Sequence, residues 1–176
     1  MLKIDMKKSS KVKLFLMVIS MLLLVSLTGC GSTTHTVKAE DMEIVLSKEY
    51  KASTLANTTW YYESPDGIAL GIRSRKEDVE KSGLEVETVK DYAEEYIKAN
   101  SIPKSPEVKS RDGKSYVYFE YSKTISGTEY SYLTCVYDNV DEYWLVSFAC
   151  YKELYSTYKA DFFDAADSVK FVEEQK

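Results

Sequence analysis

The sequence predicts an α+β fold, in which a central antiparallel sheet with meander topology is flanked by two helices. Two observations carry this prediction. From residue 107 to residue 151, apolar and polar residues alternate with a period of two, and three short turn segments interrupt the alternation. On either side, residues 87–100 and 154–166 place their apolar side chains at helical spacing. Strands grouped together and helices kept apart are typical of this fold class.

The periodic region predicts a four-strand meander. Its turns contain Asp112-Gly113, Ser126-Gly127 and residues 138–141, and the Asp-Gly pair favours a primed hairpin turn. The predicted strands are residues 108–111, 115–123, 129–137 and 143–151. They are rich in aromatic and β-branched residues, which suit a pleated and half-buried surface.

An earlier hairpin is predicted around Ser64-Pro65-Asp66-Gly67, between strands at residues 60–62 and 68–72. Proline presets φ at the second position of such a turn, and glycine tolerates a positive φ after it. Residues 42–46 predict a first strand and residues 168–171 a last one, while residues 73–83 predict a charged connection.

The helix at residues 87–100 has the clearest periodicity in the chain. Thr88 and Asp91 are spaced as a capping box in which Asp replaces the usual Glu or Gln. The apolar residues fall at i, i+3, i+4, i+7 and i+8, and they form one stripe: Val89, Tyr92, Ala93, Tyr96 and Ile97. We expect the tyrosines of this stripe to lie in the core.

The first 30 residues predict export and a lipid anchor. Five lysines in the first 13 residues precede an almost unbroken apolar run over residues 14–27, which is a secretory signal pattern. This run is shorter than the roughly 20 residues that a membrane-spanning helix needs. The segment Leu27-Thr28-Gly29-Cys30 resembles the lipobox of bacterial lipoproteins. The resemblance implies that residues 1–29 are a signal peptide and that the sulfur of Cys30 carries a diacylglyceryl group. The alternative is an ordinary secretory signal with a fortuitous cysteine.

Residues 31–41 contain no apolar periodicity, so we predict a flexible tether there, and together with the cysteine whose lipidation the resemblance implies it makes up residues 30–41. His35, the only histidine, lies in this segment and is expected to be solvated. Residues 42–176 are then predicted to form a single α+β domain.

The charge of the mature chain argues against two kinds of partner. Removing residues 1–29, which contain five lysines and one aspartate, leaves 18 basic and 27 acidic side chains and a formal charge of −9. Such a chain repels nucleic acid and anionic lipid alike, so neither is expected to bind it electrostatically. Contact with the membrane is expected through the lipid on Cys30.

Cys135 and Cys150 are predicted to be buried free thiols, although an exported protein invites a disulfide interpretation. They lie in strands joined by a turn near residues 138–142, so Cys135 should face a position near Trp144 or Leu145. Cys150 then stands five or six residues further along the strand, beyond disulfide reach. The alternative is that one of these cysteines is a nucleophile, but the predicted domain has no histidine to activate it.

No complete catalytic motif is present. The chain lacks a nucleophile elbow, a phosphate-binding P-loop, a dinucleotide-binding glycine turn, an H-E-x-x-H motif and a C-x-x-C pair. No cofactor, metal or catalytic residue is therefore assigned. Two groups of acidic residues are candidate cation sites, but a solvated helix face or a polar turn explains each of them better. These groups are Asp161, Asp164 and Asp167 in the last helix, and Asp138, Asn139, Asp141 and Glu142 in a turn.

The fifteen tyrosines offer two interpretations. If helices cover both faces of the sheet, the strand tyrosines are core residues, and this is the favoured interpretation. If one face is uncovered, the same side chains form a platform that can stack on sugars or hold a peptide. The strand residues concerned include Tyr116, Tyr118, Tyr121, Tyr130 and Tyr132.

Several segments together resemble a group of small lipoproteins of Gram-positive bacteria, whose shared motifs are structural and include no catalytic residue. They are Tyr61-Tyr62-Glu63-Ser64, Tyr92-Ala93-Glu94, Gly113-Lys114-Ser115-Tyr116, Phe148-Ala149-Cys150 and Ser168-Val169-Lys170-Phe171. The order of elements is also similar to the PsbP-like fold. This resemblance implies a central antiparallel sheet with helices on its faces, and the photosystem role of that family is not transferred.

These observations favour a non-enzymatic binding or accessory module of the cell envelope, anchored on the outer face of the cytoplasmic membrane. Its expected partner is another envelope protein, a wall polymer or a small ligand. Two alternatives stay open: an envelope hydrolase that uses acidic residues, and an assembly or immunity factor with a single protein partner. A concave pocket with two carboxylates about 5 to 10 Å apart and a raised pKa would favour the hydrolase, and a flat exposed aromatic patch of several hundred Å² would favour a protein partner.

Overall fold

The computed structural model describes residues 33–172. The predicted signal peptide, residues 1–29, and the predicted lipidation site, Cys30, lie outside the described residues. In the part of the chain that is described, no helix combines the length and the apolar character needed to cross a bilayer.

The described chain contains ten strands and three α-helices. The strands are β1 (Thr34–Ala39), β2 (Met42–Ser47), β3 (Lys51–Ser53), β4 (Trp60–Glu63), β5 (Gly67–Arg75), β6 (Lys109–Ser110), β7 (Tyr116–Ile125), β8 (Thr128–Asn139), β9 (Glu142–Tyr151) and β10 (Lys170–Phe171). The helices are α1 (Lys76–Lys81), α2 (Val89–Ala99) and α3 (Tyr155–Asp167), and the short 3₁₀ turn Lys152–Leu154 leads into α3.

The central sheet has seven strands in the order β3-β4-β5-β9-β8-β7-β6, and every neighbouring pair is antiparallel. The predicted meander is therefore confirmed as the β6–β9 part of a larger sheet. The early hairpin, β4 and β5, joins this sheet because β5 pairs with β9 over nine residues. The predicted α+β class with a central antiparallel sheet is confirmed.

A second sheet has the strand order β1-β2-β10 and contradicts the predicted tether for residues 34–39. These residues form β1, which pairs with β2 from Thr34 opposite Ser47 to Ala39 opposite Met42. The side chain of Val37 is buried in the core, Ala39 packs against the same cluster, and six residue pairs join β1 to β2. His35 is half-buried and its ring centroid lies 5.9 Å from that of Tyr62, so it is not a solvated tether residue.

The central sheet has a hydrophobic core on each face. On one face, α3 and the three-stranded sheet pack over strand residues such as Trp144 and Phe148. On the other face, α1 and α2 pack over Phe119, Val136 and Leu145. Neighbouring residues of a strand point to opposite faces of the sheet. Because each face carries a core, β8 and β9 are buried along most of their length.

Helix α2 agrees with its prediction. Thr88 accepts a hydrogen bond from the backbone N–H of Asp91, and the Asp91 carboxylate accepts one from the backbone N–H of Thr88, so the capping box is confirmed. The apolar stripe packs on the sheet, with Tyr92, Ala93 and Ile97 buried.

Helix α1 was predicted as a charged connection, and that prediction is wrong. It has one buried residue, Val79, so contact with the sheet stabilises it more than its own periodicity does.

Three glycine turns differ in their geometry. Ser126 and Gly127 have φ of 50° and 86° and connect β7 to β8 in a two-residue primed turn. Gly113 has a φ of 70° inside a longer connection, and Asp112 has no positive φ, so the primed turn predicted there is wrong. Gly67 also lacks a positive φ. A Cβ at this position would lie 2.5 Å from the carbonyl oxygen of Ala149, so close approach of β9 demands glycine here.

Cys135 and Cys150 are both buried and free, as predicted. The register differs from the prediction, because Cys135 lies opposite Val146 rather than Trp144 or Leu145. Cys150 is therefore four positions further along β9, or about 13 Å at 3.3 Å per residue. This separation is still well beyond the reach of a disulfide.

Candidate binding site

The second face of the central sheet is only partly covered by helix. Helix α2 lies over one end of β7, β8 and β9, around Val117 and Tyr143. Toward the other end of the same face the strands continue without a helix above them, and there the surface is concave. We call this concavity the tyrosine groove, and its volume is about 310 Å³. It is lined by the β4–β5 turn, residues 63–67, and by Ile68, Ile125, Tyr130, Tyr132, Ala149 and Tyr151.

Strand register assembles the groove from distant parts of the chain. Tyr132 on β8 lies opposite Ala149 on β9, which in turn lies opposite Ile68 on β5. Directly opposed residues of antiparallel strands share a face. The small side chain of Ala149 therefore forms a floor between two larger neighbours, and the turn after β4 closes the far side.

Tyr130, Tyr132 and Tyr151 form the opposite wall, and they belong to two tyrosine stacks. Tyr121 and Tyr132 are parallel, with ring centroids 4.6 Å apart and an interplanar angle of 3°. Tyr130 and Tyr151 are stacked at 5.4 Å and 26°. Each pair consists of cross-strand neighbours, so the sheet itself holds the rings in place. A ligand in the groove meets aromatic surface that needs little reorganisation.

The groove exposes apolar surface at its open end. Ile125 is 46% exposed and Tyr151 is 36% exposed, and both side chains line the concavity. By contrast, exposed residues such as Val140 and Leu55 lie elsewhere and do not line it. Apolar side chains that gather at a concave surface indicate a binding site more strongly than apolar side chains scattered over the surface.

The polar groups at the groove are carboxylates and phenols. Glu63 and Asp66 line the side opposite the tyrosine stacks. Asp66 accepts a 2.8 Å hydrogen bond from the phenol of Tyr158, which fixes its orientation. Burial, followed by the proximity of Tyr130, raises the pKa of the Tyr132 phenol, so this group is neutral at physiological pH and both donates and accepts hydrogen bonds.

A second concavity of about 490 Å³ lies between α1, α2 and β5. Its polar groups are largely engaged with one another. Tyr92 donates a 2.8 Å hydrogen bond to Ser74, Arg73 lies 3.4 Å from the carboxylate of Glu142, and Glu95 pairs with Lys98. Although it is larger, this concavity is bordered by groups that stabilise helix packing, and we regard the tyrosine groove as the better candidate site.

The acidic residues of the two candidate cation groups have different surroundings in the structure. Asp161 and Asp164 are exposed, whereas Asp167 is half-buried and accepts hydrogen bonds from Tyr116 and Arg111, so it does not belong to a solvated face. In the β8–β9 turn, Asp138 pairs with Lys76 and Asn139 donates to Asp41. Among residues 33–172, no group of three or more His, Cys, Asp or Glu side chains has a geometry suited to a metal ion.

The hydrolase alternative needs a carboxyl group with a raised pKa in a concave site. Burial raises the pKa of the Glu142 carboxyl, and the neighbouring Arg73 partly offsets this effect. Glu142 begins strand β9 at the turn from β8 and does not line the tyrosine groove. The raised pKa of Glu142 is therefore explained by its burial outside the groove.

Part of the groove was predictable from the sequence. Core positions were the favoured prediction for the strand tyrosines, and a platform was the alternative. Tyr130 and Tyr132 line the groove, whereas Tyr121 stacks on Tyr132 and packs against the core beneath α2. Tyr116 belongs instead to the core of the opposite face. Ile125, Ala149 and Tyr151 were not assigned to a site. A small residue, Ala149, among bulky strand residues was the signal in the sequence that could have indicated a groove. Its neighbours across the sheet depend on strand register, which the sequence pattern does not give.

Structural comparison defines the class of fold. The chain is similar to the solution structure of cyanobacterial PsbP (CyanoP) from Synechocystis sp. PCC 6803, with 15% sequence identity and a TM-score of 0.57. This likeness covers 83% of this chain and 99% of that chain. A crystal structure of a protein from Bacteroides thetaiotaomicron VPI-5482 has 9% identity and a TM-score of 0.51, covering 82% of this chain and 50% of that chain.

The protein therefore has a PsbP-like fold, which confirms the resemblance in the order of elements. Neither protein-family models nor curated protein sequences give a match to this chain. At such low identities a structural likeness establishes the fold alone, so the function has to be inferred from the site.

Proposed function

We propose that this protein is a lipoprotein of a Gram-positive cell envelope, anchored through Cys30, and that it acts as a non-enzymatic accessory module by binding a wall polymer in the tyrosine groove. The observation that carries the binding role is the concave, tyrosine-lined end of a sheet face that α2 leaves uncovered. The anchor rests on the lipobox-like segment that ends at Cys30.

The chemistry of the groove suits a saccharide chain. Sugar rings have an apolar face that stacks on aromatic side chains and hydroxyl groups that bind carboxylates and phenols. Tyr130, Tyr132 and Tyr151 offer the aromatic surface, and Glu63 and Asp66 stand across from them. The volume of about 310 Å³ is at the lower end of ligand pockets. It is suited to a short stretch of a polymer whose remainder stays in solvent.

The anchor is tested with the full-length chain in its own cells. A lipid with at least two acyl chains holds a protein stably on a bilayer, so the Cys30→Ala variant should leave the membrane fraction and accumulate in its unlipidated form. Mass spectrometry of the wild-type amino terminus should show a modified Cys30. Membrane recovery of the Cys30→Ala variant at the wild-type level would contradict the anchor.

The binding role is tested by co-sedimentation with purified cell-wall sacculi. We expect Tyr151→Ala to reduce the bound fraction about threefold to tenfold, since it removes one exposed aromatic contact. The matched control is Val140→Ala, which changes a residue that is 83% exposed and outside the groove. Equal binding by both variants would contradict the groove as the site. Release of soluble sugar fragments would contradict the non-enzymatic role and support the hydrolase.

A further inference from the structure

Strand β7 has an open edge over most of its length. Strand β6 pairs with β7 only at Val117 and Tyr118. From Phe119 to Ile125, no other strand of the described chain pairs with β7 on the side away from β8. A seven-residue edge of this kind presents unpaired backbone groups and is a template for another strand.

The direction of these backbone groups follows from the hairpin. Ile125 and Thr128 flank the two-residue turn at residues 126 and 127, so they form a hydrogen-bonded pair. Because hydrogen-bonded positions alternate along an antiparallel pair, the N–H and C=O groups of every second residue point away from β8. On the open segment these residues are Glu120, Ser122 and Thr124.

We propose that a second copy of this chain pairs with this edge, with the two β7 strands antiparallel and centred on Ser122. Ser122 of one copy then lies opposite Ser122 of the other, and Glu120 lies opposite Thr124. All three outward-pointing positions face outward-pointing positions, so up to six backbone hydrogen bonds form. Phe119 meets Ile125, whose side chain is 46% exposed in the single chain.

Other registers are less favourable. Centring the pair on Lys123 places two lysines directly opposite each other, which is destabilising. Centring it on Tyr121 brings Thr124 against Tyr118, where β6 already occupies the edge. Only the register centred on Ser122 uses the whole open segment, and the segment ends where β6 begins.

A contact between a cation and an aromatic ring also favours this register. An exposed edge lysine ordinarily protects a strand from pairing. Here Lys123 of one copy lies opposite Tyr121 of the other, on the face that carries the Tyr121–Tyr132 stack, where a cation and an aromatic ring attract each other. Glu120 brings no unpaired charge, because Lys159 lies 2.7 Å from its carboxylate and Tyr155 donates to it over 2.6 Å.

The arrangement extends the role proposed above without depending on it. A two-fold axis that relates antiparallel strands at this edge runs perpendicular to the sheet, so both tyrosine grooves face the same side of one continuous sheet. Two grooves on one face bind a repeating polymer with higher avidity than one groove does. The net negative charge of each copy opposes pairing, so we expect association to strengthen with ionic strength.

The test is crosslinking of the full-length protein in its own membranes. The Ser122→Cys variant, treated with a short bis-maleimide, should give a crosslinked dimer, because equivalent Cα atoms of such a pair lie about 5.5 Å apart. Cys135 and Cys150 are buried and do not compete for the reagent. The Val140→Cys variant, exposed at another turn, should give little or no dimer. Equal dimer yields from the two variants would overturn the proposal.

A second variant separates pairing from folding. Thr124→Pro, added to Ser122→Cys, removes an outward N–H and leaves the hydrogen bonds to β8 intact, so the crosslinked fraction should fall about fivefold or more. Thr124→Ala should keep it. Co-purification of two differently tagged wild-type copies is the measurement that needs no variant, and its failure in detergent and in membranes alike would also overturn the proposal. Neither result depends on whether the groove binds a wall polymer.

Discussion

The phenol of Tyr116 donates a 2.6 Å hydrogen bond to Oδ1 of Asp167, which joins the start of β7 to the last residue of α3. Nη2 of Arg111 lies 3.2 Å from Oδ2 of the same carboxylate. Burial by itself raises the pKa of the Asp167 carboxyl, but the hydrogen bonds from Tyr116 and Arg111 outweigh it and hold the pKa below its ordinary value. The ionised carboxylate therefore fastens α3 to the sheet.

We expect Asp167→Asn to destabilise the protein by about 1–2 kcal/mol, because hydrogen bonds to a charged group are stronger than those to a neutral amide. The measurement is the free energy of unfolding in urea. Asp164→Asn, on the same helix but exposed, is the matched control and should change stability by less than about 0.5 kcal/mol. Equal effects of the two substitutions would show that the contact with Tyr116 contributes nothing specific.

Stability should fall in acid because of two carboxylates that dock α3. For Glu120, burial raises the pKa, but hydrogen bonds from Lys159 and Tyr155 outweigh it, so the pKa is lowered, as it is for Asp167. A lowered pKa in the folded state means that the stabilisation is complete above the unfolded pKa of about 4 and is lost as pH falls through the folded value.

The pH dependence has a direct test. Between about pH 5 and pH 2 the free energy of unfolding should decrease with a smaller slope in the Asp167→Asn/Glu120→Gln double variant than in the wild type. An Asp161→Asn/Asp164→Asn double variant, with two exposed carboxylates removed from the same helix, is the control. Identical slopes in the wild type and the Asp167→Asn/Glu120→Gln variant would rule out the linkage.

Gly71→Ala is expected to destabilise the protein by about 2–4 kcal/mol. The indole of Trp60 lies across its cross-strand neighbour Gly71, and an added Cβ would stand 2.1 Å from its Nε1 atom. The buried ring has no room to move without disturbing the core. Gly83→Ala is the comparison, because open space surrounds it and only its φ of 79° opposes the change, at about 1 kcal/mol. A smaller effect at Gly71 than at Gly83 would contradict this account.

The two domain cysteines should be unreactive until the protein unfolds. Burial raises the pKa of the Cys150 thiol to about 11 and raises that of Cys135 as well. In a Cys30→Ser chain at pH 7.5, both thiols should react with Ellman's reagent at least about 100-fold faster in denaturant than in buffer. Thr54→Cys introduces an exposed thiol as a positive control. Fast labelling of either native cysteine in buffer would place it at an accessible surface.

Local chemistry explains which elements were predictable. The capping box at Thr88 and the apolar stripe of α2 both lie within one helix, so the sequence pattern identifies the element without knowledge of its neighbours. Helix α1 has a single buried residue, Val79, and strand β1 is secured to the core mainly by Val37. One or two inward side chains produce no recognisable periodicity, so a charged connection and a tether were predicted where packing forms a helix and a strand.

The amino-acid sequence by itself determined the α+β class, the meander, the capped helix and the burial of two free thiols, since each depends on periodicity or spacing along a short segment. The tertiary structure decided that Tyr132, Ala149 and Ile68 share one row of the sheet, that α2 stops short of them, and that β7 keeps an open edge. The tyrosine groove and the open edge of β7 arise from the strand register and from the length of sheet that each helix covers. The register and the helix coverage depend on the packing free energy of residues far apart in the chain, so no local sequence pattern predicts them.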